Sequence, residues 1–431
     1  MRYRILLSML TLFLLLGGTV QGQGIISNMP DHPLLEMLER VPATANTTES
    51  GVYFVDLDAI LLQLPEAQRP TSYATWDEFP RPFLRIQTEP VYQYLRMYDV
   101  LPRIAGFDFF DINQTLHWGT PPEQATIFQG DLNAEAIIAA HTNRDPDFDH
   151  IAAYEAAQIN GVQAWCSVNG CDGTQTDLTG RDPSNILDLS GLGRTPPFFV
   201  EDGSLTTAYA ENIMADIAAV INQDADSLAM NSTYQALAEA FVDVDEALTL
   251  VQAQLLPEEL VNVRVDLNDP NTLSPVLGGG AEIEALVTIA GRLRESPVWA
   301  DYGVMPRYEL AGIADYHHAD YQAVTVATVH TTENTATIAA EEVAKRMNTL
   351  TLPFIYREDG QTLFERIPDA EIQDPVIYAS STGEYVALVT VHYPNVDLFD
   401  SESPQPGMLM RFLRDAIAQR ELYILWQISG L

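Results

Sequence analysis

Apolar residues recur along this 431-residue chain with two different periods. Short β-branched and aromatic runs predict strands, and apolar positions three or four residues apart predict amphipathic helices. Three predicted strands are each followed by a predicted helix: 125–130 by 134–141, 321–330 by 338–347, and 385–393 by 408–420, with a last strand at 422–428. Strands that alternate with helices of this length predict helices packed on sheets.

The other segments complete the outline. Leu34, Leu35 and Leu38 predict a short entry helix within residues 25–50, where it is followed by a polar linker at 42–50. A strand is predicted at 51–56 and a further strand at 161–165. Between the strand–helix units, apolar side chains fall on one helical face at 213–221 and again at 234–241. Leu248, Val251 and Leu255 extend this helical pattern as far as Pro257.

These patterns predict an α+β fold. We expect two lobes, each an open α/β sandwich of antiparallel or mixed sheets with helices on one face, and a helical segment between them. The predicted units are a signal peptide at 1–22, a helix and linker at 23–50, an N-terminal lobe at 51–260 that ends in helices, and a C-terminal lobe at 261–431.

The N-terminus predicts export. Arg2 and Arg4 precede an almost wholly apolar run at 5–16, and small residues follow at 17–22, which is the pattern of a cleavable signal peptide. The apolar run is shorter than the roughly 20 residues that a membrane-spanning helix needs. We therefore expect an extracytoplasmic protein, secreted or periplasmic, with no integral membrane segment after cleavage.

The charge balance excludes one class of partner. Lys and Arg total 22 against 60 Asp and Glu, which gives a net charge of −38. Such a surface repels phosphate backbones, so we expect no nucleic-acid partner. The acidity is compatible with cation binding, with a salty medium or with solubility alone.

A resemblance rests on several short motifs. They are Gly106-Phe107-Asp108, the Gly119, Pro121 and Pro122 group, Gly130-Asp131-Leu132, and Ser227-Leu228-Ala229 with Asn231 before Tyr234. Across about residues 50–250 the chain resembles uncharacterised exported bacterial proteins with repeated strand–helix units and no assigned activity. The resemblance implies a fold and a compartment, and it supplies no functional residues.

Cys166 and Cys171 are the two cysteines of the chain. In an exported protein, such a close pair predicts a disulfide that closes a turn after the 161–165 strand. Asn169-Gly170 lies within the loop and suits the positive φ of a tight turn. A zinc site needs more ligands than two thiols, and the spacing is not that of a redox C-x-x-C motif.

Two groups of side chains are candidate metal ligands. Asp145, Asp147 and Asp149 alternate on a loop, and such carboxylates bind Ca²⁺ in other loops, but His150 stands where a calcium loop needs glycine. A solvated acidic loop is the favoured interpretation of this triplet, with Ca²⁺ as its alternative cofactor.

The adjacent His317 and His318 form the second group, since Asp315 and Asp320 flank them. Imidazole and carboxylate are the usual ligands of zinc. Adjacent strand residues point to opposite faces, however, so exposed histidines are favoured over a zinc site.

Eleven aromatic residues lie between Tyr73 and Trp118. Buried core anchors are the favoured interpretation, and a stacking surface for a ligand is the alternative. No nucleophile elbow and no phosphate-binding loop occurs in the sequence. We therefore expect a non-catalytic protein that binds an unidentified protein or small molecule. The alternatives are an extracytoplasmic solute-binding protein and a secreted metal-dependent hydrolase.

Overall fold

The structure, a computed structural model, describes residues 32–71, 83, 85–86, 99–120, 122–143, 154–174, 185–188, 193–261, 303–349, 362–367, 369–397, 406–418 and 426. The predicted signal at 1–22 and the triplet Asp145, Asp147 and Asp149 lie outside these residues. So does the last predicted strand at 422–428, apart from Trp426.

The described strands form one open antiparallel sheet. They are β1 (Val52–Asp56), β2 (Ile112–Thr120), β3 (Glu123–Gly130), β4 (Tyr154–Ile159), β5 (Val162–Ser167), β6 (Phe198–Glu201), β7 (Ser204–Ala208), β8 (Thr249–Pro257), β9 (Leu310–His317), β10 (Tyr321–His330), β11 (Glu371–Ile372), β12 (Val376–Ala379) and β13 (Tyr385–Pro394). Their order is β11-β13-β10-β9-β8-β1-β2-β3-β7-β6-β5-β4, and β12 pairs with β13 beside β11. The predicted α+β class is confirmed.

Helices connect these strands. They are α1 (Pro33–Leu38), α2 (Ala45–Ser50), α3 (Leu57–Leu61), α4 (Leu101–Ile104), α5 (Ala134–Thr142), α6 (Glu211–Ile221), α7 (Ser232–Val242), α8 (Glu258–Val261), α9 (Glu333–Thr349), α10 (Leu363–Arg366) and α11 (Met408–Ala418). The short entry helix predicted from Leu34, Leu35 and Leu38 and the repeated strand–helix units are therefore present.

Helices cover both faces of the sheet at β9, where the sequence predicted helices on one face. Helix α7 packs against Gly312, and a Cβ there would lie 2.8 Å from Phe241 Cζ. The neighbouring Ile313 points the other way and clusters with Val343 of α9. With a helix on each side, β9 and β10 are buried on both faces, which explains their nearly continuous apolar runs.

The two halves of the sheet repeat one topology. In the N-terminal half the order β2-β3-β7-β6 comes from two hairpins, with α5 following the first. In the C-terminal half the order β9-β10-β13-β12 comes from two hairpins, with α9 following the first. The halves meet at β1 and β8, which pair with each other. The predicted lobe boundary at 260/261 falls between β8 and β9, which also pair.

Two predictions of local structure were wrong. Residues 249–257 form strand β8, not the end of a helical pattern. Its apolar side chains are buried on both faces, so their spacing fits either period and pairing with β1 and β9 decides the outcome. The linker predicted at 42–50 also contains a helix, α2, in which Thr47 and Ser50 are buried.

The described aromatic side chains between residues 73 and 118 confirm the core interpretation. Phe83, Phe107, Phe109 and Trp118 are buried, and Phe110 packs partly buried against the same cluster. The rings of Phe83 and Phe109 meet edge to face with centroids 5.4 Å apart. The other aromatic residues of this stretch lie outside the described residues.

The predicted disulfide is confirmed. Cys166 and Cys171 are joined, with their Cα atoms 4.7 Å apart, and they close a turn at the end of β5. Gly170 donates its N–H to the carbonyl of Ser167 and has φ +115°, the positive value that the turn requires. Because the closed loop is short, the disulfide reduces the entropy of the unfolded chain only slightly and stabilises the folded protein by only about 2 kcal/mol.

A buried ion pair connects the two halves of the sheet. Arg85, from the connection between β1 and β2, donates from Nε to Asp315 Oδ2 at 2.6 Å and from Nη2 to Oδ1 at 2.7 Å, and both side chains are fully buried. Gln252 of β8 donates to the same carboxylate and to the carbonyl of Arg85. Gln63 accepts from Arg85 Nη1 at 3.1 Å. Residues from three separate stretches therefore meet on β9.

We predict that Asp315→Asn lowers the free energy of unfolding by about 3–5 kcal/mol, because it leaves a buried guanidinium without its counter-charge. The double variant Arg85→Met/Asp315→Leu should lose less, because it leaves no unpaired charge. Urea denaturation measures both. The matched control is Glu201→Gln, which breaks the exposed pair with Arg40 and should cost at most about 1 kcal/mol. An Asp315→Asn loss no larger than that of the control contradicts this account.

Candidate functional site

The turn between β9 and β10 carries polar and aromatic side chains at the point where these two strands end. His318 donates its N–H to the carbonyl of Tyr321 at 3.0 Å, which closes the turn. Asn395, just after β13, donates from Nδ2 to the carbonyls of His318 and Ala319 at 3.2 and 2.9 Å. The turn is therefore held both by its own backbone and by the neighbouring strand.

Three rings stack at this turn. The centroid of Tyr321 lies 4.2 Å from that of His318 and 4.2 Å from that of His392, with interplanar angles of 24° and 26°. His392 is opposite Ala323 in the β10–β13 ladder, so Tyr321 is its diagonal neighbour on the same face. All three residues are partly exposed. We call this group the ring stack.

Carboxylates surround the ring stack. Burial raises the pKa of the Tyr321 hydroxyl, and the charges of Asp245 and Asp320 raise it further. Burial lowers the pKa of His392, while Asp245 and Glu371 act in the opposite direction. These three carboxylate residues are exposed, so the ring stack lies in a negative local potential.

The hydrogen bonds of the turn fix one histidine tautomer. Asp320 donates its backbone N–H to Nδ1 of His318 at 3.1 Å, so Nδ1 is the acceptor and a neutral ring carries its proton on Nε2. The Asp320 carboxylate lies 4.0 Å from the same Nδ1.

Two histidines outside the ring stack also have lowered pKa values. Burial lowers the pKa of His141 to about 4, and its ring packs between Tyr154 and Phe198; among the described residues neither of its nitrogens has a hydrogen-bond partner. Burial also lowers the pKa of His117 to about 4, where Nδ1 is 2.9 Å from Thr126 Oγ1. The ring of His141 therefore serves packing, whereas His117 is partly exposed and contacts Thr126.

The residues predicted as metal ligands are placed differently. Asp315 forms a buried ion pair with Arg85, and the ring of His318 stacks on Tyr321. Within the described ranges, no group of three or more His, Cys, Asp or Glu side chains could hold a metal ion. The triplet Asp145, Asp147 and Asp149 lies outside those ranges. Cys166 and Cys171 form the turn-closing disulfide and are not near-neutral nucleophiles.

The sequence did not identify the ring stack. It singled out His318 as a member of a pair, but the second histidine that stacks on Tyr321 is His392, which lies in another strand of the sheet. The usable signal was the start of the β-branched run of β10, which places Tyr321 at a strand end next to the histidine turn. Comparison with known protein families, curated proteins and solved structures finds no match for this chain.

We predict opposite pKa changes at His392 in two variants. His318→Gln should raise the pKa of His392, because the charge of His318 lowers that pKa. Glu371→Gln should lower the pKa of His392, because the variant removes a negative charge. The C–H resonances of the imidazole, followed by NMR through a pH titration, report both. Shifts in the same direction would contradict the assigned electrostatics.

The sign of the linked stability effect follows from the same pKa. The His392 pKa lies below its ordinary 6.5 in the folded protein, so the unfolded chain takes up its proton first as the pH falls. His392 therefore contributes stability that is present above pH 6.5 and is lost on acidification. A His392→Gln variant should show a shallower fall in stability below that pH.

Proposed function

We propose that this chain is an exported, non-catalytic binding protein and that the ring stack is its contact surface for a ligand or partner. The ring stack is the observation that carries the proposal. Three partly exposed rings held in one fixed arrangement offer a large contact area at a small cost in side-chain entropy.

Export is supported by two features. Residues 1–22 carry the charge and apolar pattern of a cleavable signal, and the cysteines are paired, as is usual in oxidising compartments. Among the described helices, none combines the length and apolar character required to cross a bilayer. The signal pattern and the paired cysteines favour a secreted or periplasmic location.

The solute-binding alternative relied on the aromatic residues at 73–118 lining a cleft. Phe83, Phe107, Phe109 and Trp118 are buried in the core, so these four side chains are not available to a ligand. The ring stack, which lies outside that stretch, is the better candidate for contact.

The hydrolase alternative relied on histidine and aspartate converging on a metal. The full burial of Asp315 against Arg85 removes one of the two carboxylates that flank the His317–His318 pair in sequence. The remaining carboxylates around the ring stack are exposed, and they act on His392 and Tyr321 through their charges. Binding is therefore favoured over hydrolysis for this group of residues.

Export predicts a processed N-terminus. Protein recovered from outside the cytoplasm of its native host should begin near residue 23, because the apolar run at 5–16 directs export and cleavage. Its mass before reduction should correspond to the disulfide form. N-terminal sequencing and intact mass spectrometry measure these properties. An intact Met1, or two free thiols, in that material contradicts the export proposal.

Binding predicts a localised NMR response. We expect at least one probe in a panel of capped amino acids, simple sugars and carboxylic acids to shift the ring resonances of Tyr321, His318 and His392. The shift should disappear in Tyr321→Ala, which removes the central ring. Tyr385→Phe, which keeps its ring on the same sheet, is the control and should leave the response intact. Shifts confined to other parts of the protein, or no shift with any probe, contradict the assignment.

A further inference from the structure

We infer that the ring stack binds an arginine side chain of a protein partner. This inference rests on the proposed function, and it deepens it by naming the chemical group that is recognised. It depends on three properties of the site: the sign of its charge, the planarity of its rings and the hydrogen-bonding capacity of its rim.

Charge selects a cation. The Asp320 carboxylate lies 4.0 Å from His318 Nδ1, and Glu371 is opposite His392 in the β11–β13 ladder. The charge of Asp245 acts on both Tyr321 and His392. Arg85, a described cation that contacts β9, is fully buried and paired with Asp315. An anionic ligand would have to approach these carboxylates and a chain of net charge −38.

Planarity selects a guanidinium over an ammonium. The rings of His318, Tyr321 and His392 are nearly parallel, and each terminal imidazole has one ring face that the stack itself does not use. A guanidinium is planar, is weakly hydrated and stacks on aromatic faces, whereas an ammonium is a compact and strongly hydrated charge. A guanidinium can therefore continue the stack.

The rim supplies the matching acceptors. A guanidinium has five N–H donors in a fixed fork, and it pairs with carboxylates through two parallel hydrogen bonds. The carboxylates of Asp245, Asp320 and Glu371 are exposed and so are accessible to such donors. Stacking and ion pairing are thus offered to the same planar cation.

A protein-borne arginine fits better than the free amino acid. Free arginine carries an α-ammonium and an α-carboxylate, and both charged groups would lose hydration beside the rings. An arginine within a polypeptide has amides at these positions and lacks both charges. Contact through a partner's side chain also suits a surface that lies on an exposed turn.

The test is an NMR titration of the full mature chain with capped probes. Nα-acetyl-arginine amide should shift the ring resonances at lower concentration than Nα-acetyl-lysine amide. It should also bind about fivefold more tightly than Nα-acetyl-citrulline amide, its uncharged near-isostere. This difference in affinity corresponds to the upper range of the energy of an exposed ion pair. Equal responses to the arginine and citrulline probes overturn the inference. So does tighter binding of free arginine, which would indicate a solute as the ligand.

Variants separate the charge from the rings. Asp245→Asn should weaken binding of the arginine probe about threefold to fivefold. It keeps the side-chain oxygen that accepts a hydrogen bond from the N–H of Ala247. Asp224→Asn, an exposed aspartate after α6, is the matched control and should bind as the parent chain does. Tyr321→Phe should keep binding, and Tyr321→Ala should lose it. Equal effects of the two Asp→Asn variants overturn the inference.

The outcomes also distinguish this inference from the proposed function. Sugars or carboxylic acids that shift the ring stack while the arginine probe does not would preserve the binding function and reject the arginine partner. No response of the ring stack to any probe rejects both.

Discussion

The ion pair between Arg85 and Asp315 is the constraint on which the arrangement of the halves depends. Neither charge reaches solvent, so each is tolerable in the interior only while the other is in place. Gln252 binds both the carboxylate and the backbone of Arg85, which holds β8 to the same point. Gly407, at the start of α11, lies so close that a Cβ there would be 2.6 Å from Arg85 Cγ. The pair therefore specifies which segments meet, beyond any net stability that it adds.

Repetition of the topology does not extend to chemistry. The hairpins β2–β3 and β9–β10 occupy equivalent places in the two halves of the sheet. In sequence, Pro121 and Pro122 separate β2 from β3, whereas the residues between β9 and β10 include His318, whose Nδ1 accepts a hydrogen bond, and the charged Asp320. The two equivalent connections therefore differ in composition, and the ring stack lies at the second. A site of this kind depends on the turn residues, because the strands that support them are similar.

Local signals predicted much of the fold. The β-branched run of β10, the apolar face of α7 and the cysteine spacing each act over a few residues, and all three are confirmed. Strand β8 was assigned wrongly because Val251 and Leu255 fit a helix as well as a doubly buried strand. The pairing of Arg85 with Asp315, and of Tyr321 with His392, depends on which strands become neighbours. Periodicity within one segment carries no information about the order of the strands in the sheet.

Burial, more than residue type, separates structural from exposed histidines in this protein. The pKa of His141 is lowered to about 4, because its ring is enclosed by Tyr154 and Phe198 and burial disfavours the protonated form. His392 is also partly desolvated, but Asp245 and Glu371 favour its protonated form and hold back part of the decrease. The carboxylates that make the ring stack attractive to a cation therefore also promote the protonation that would repel one. Cation binding and proton binding compete at the same rings, while the interior histidines stay neutral until the solution is far more acidic.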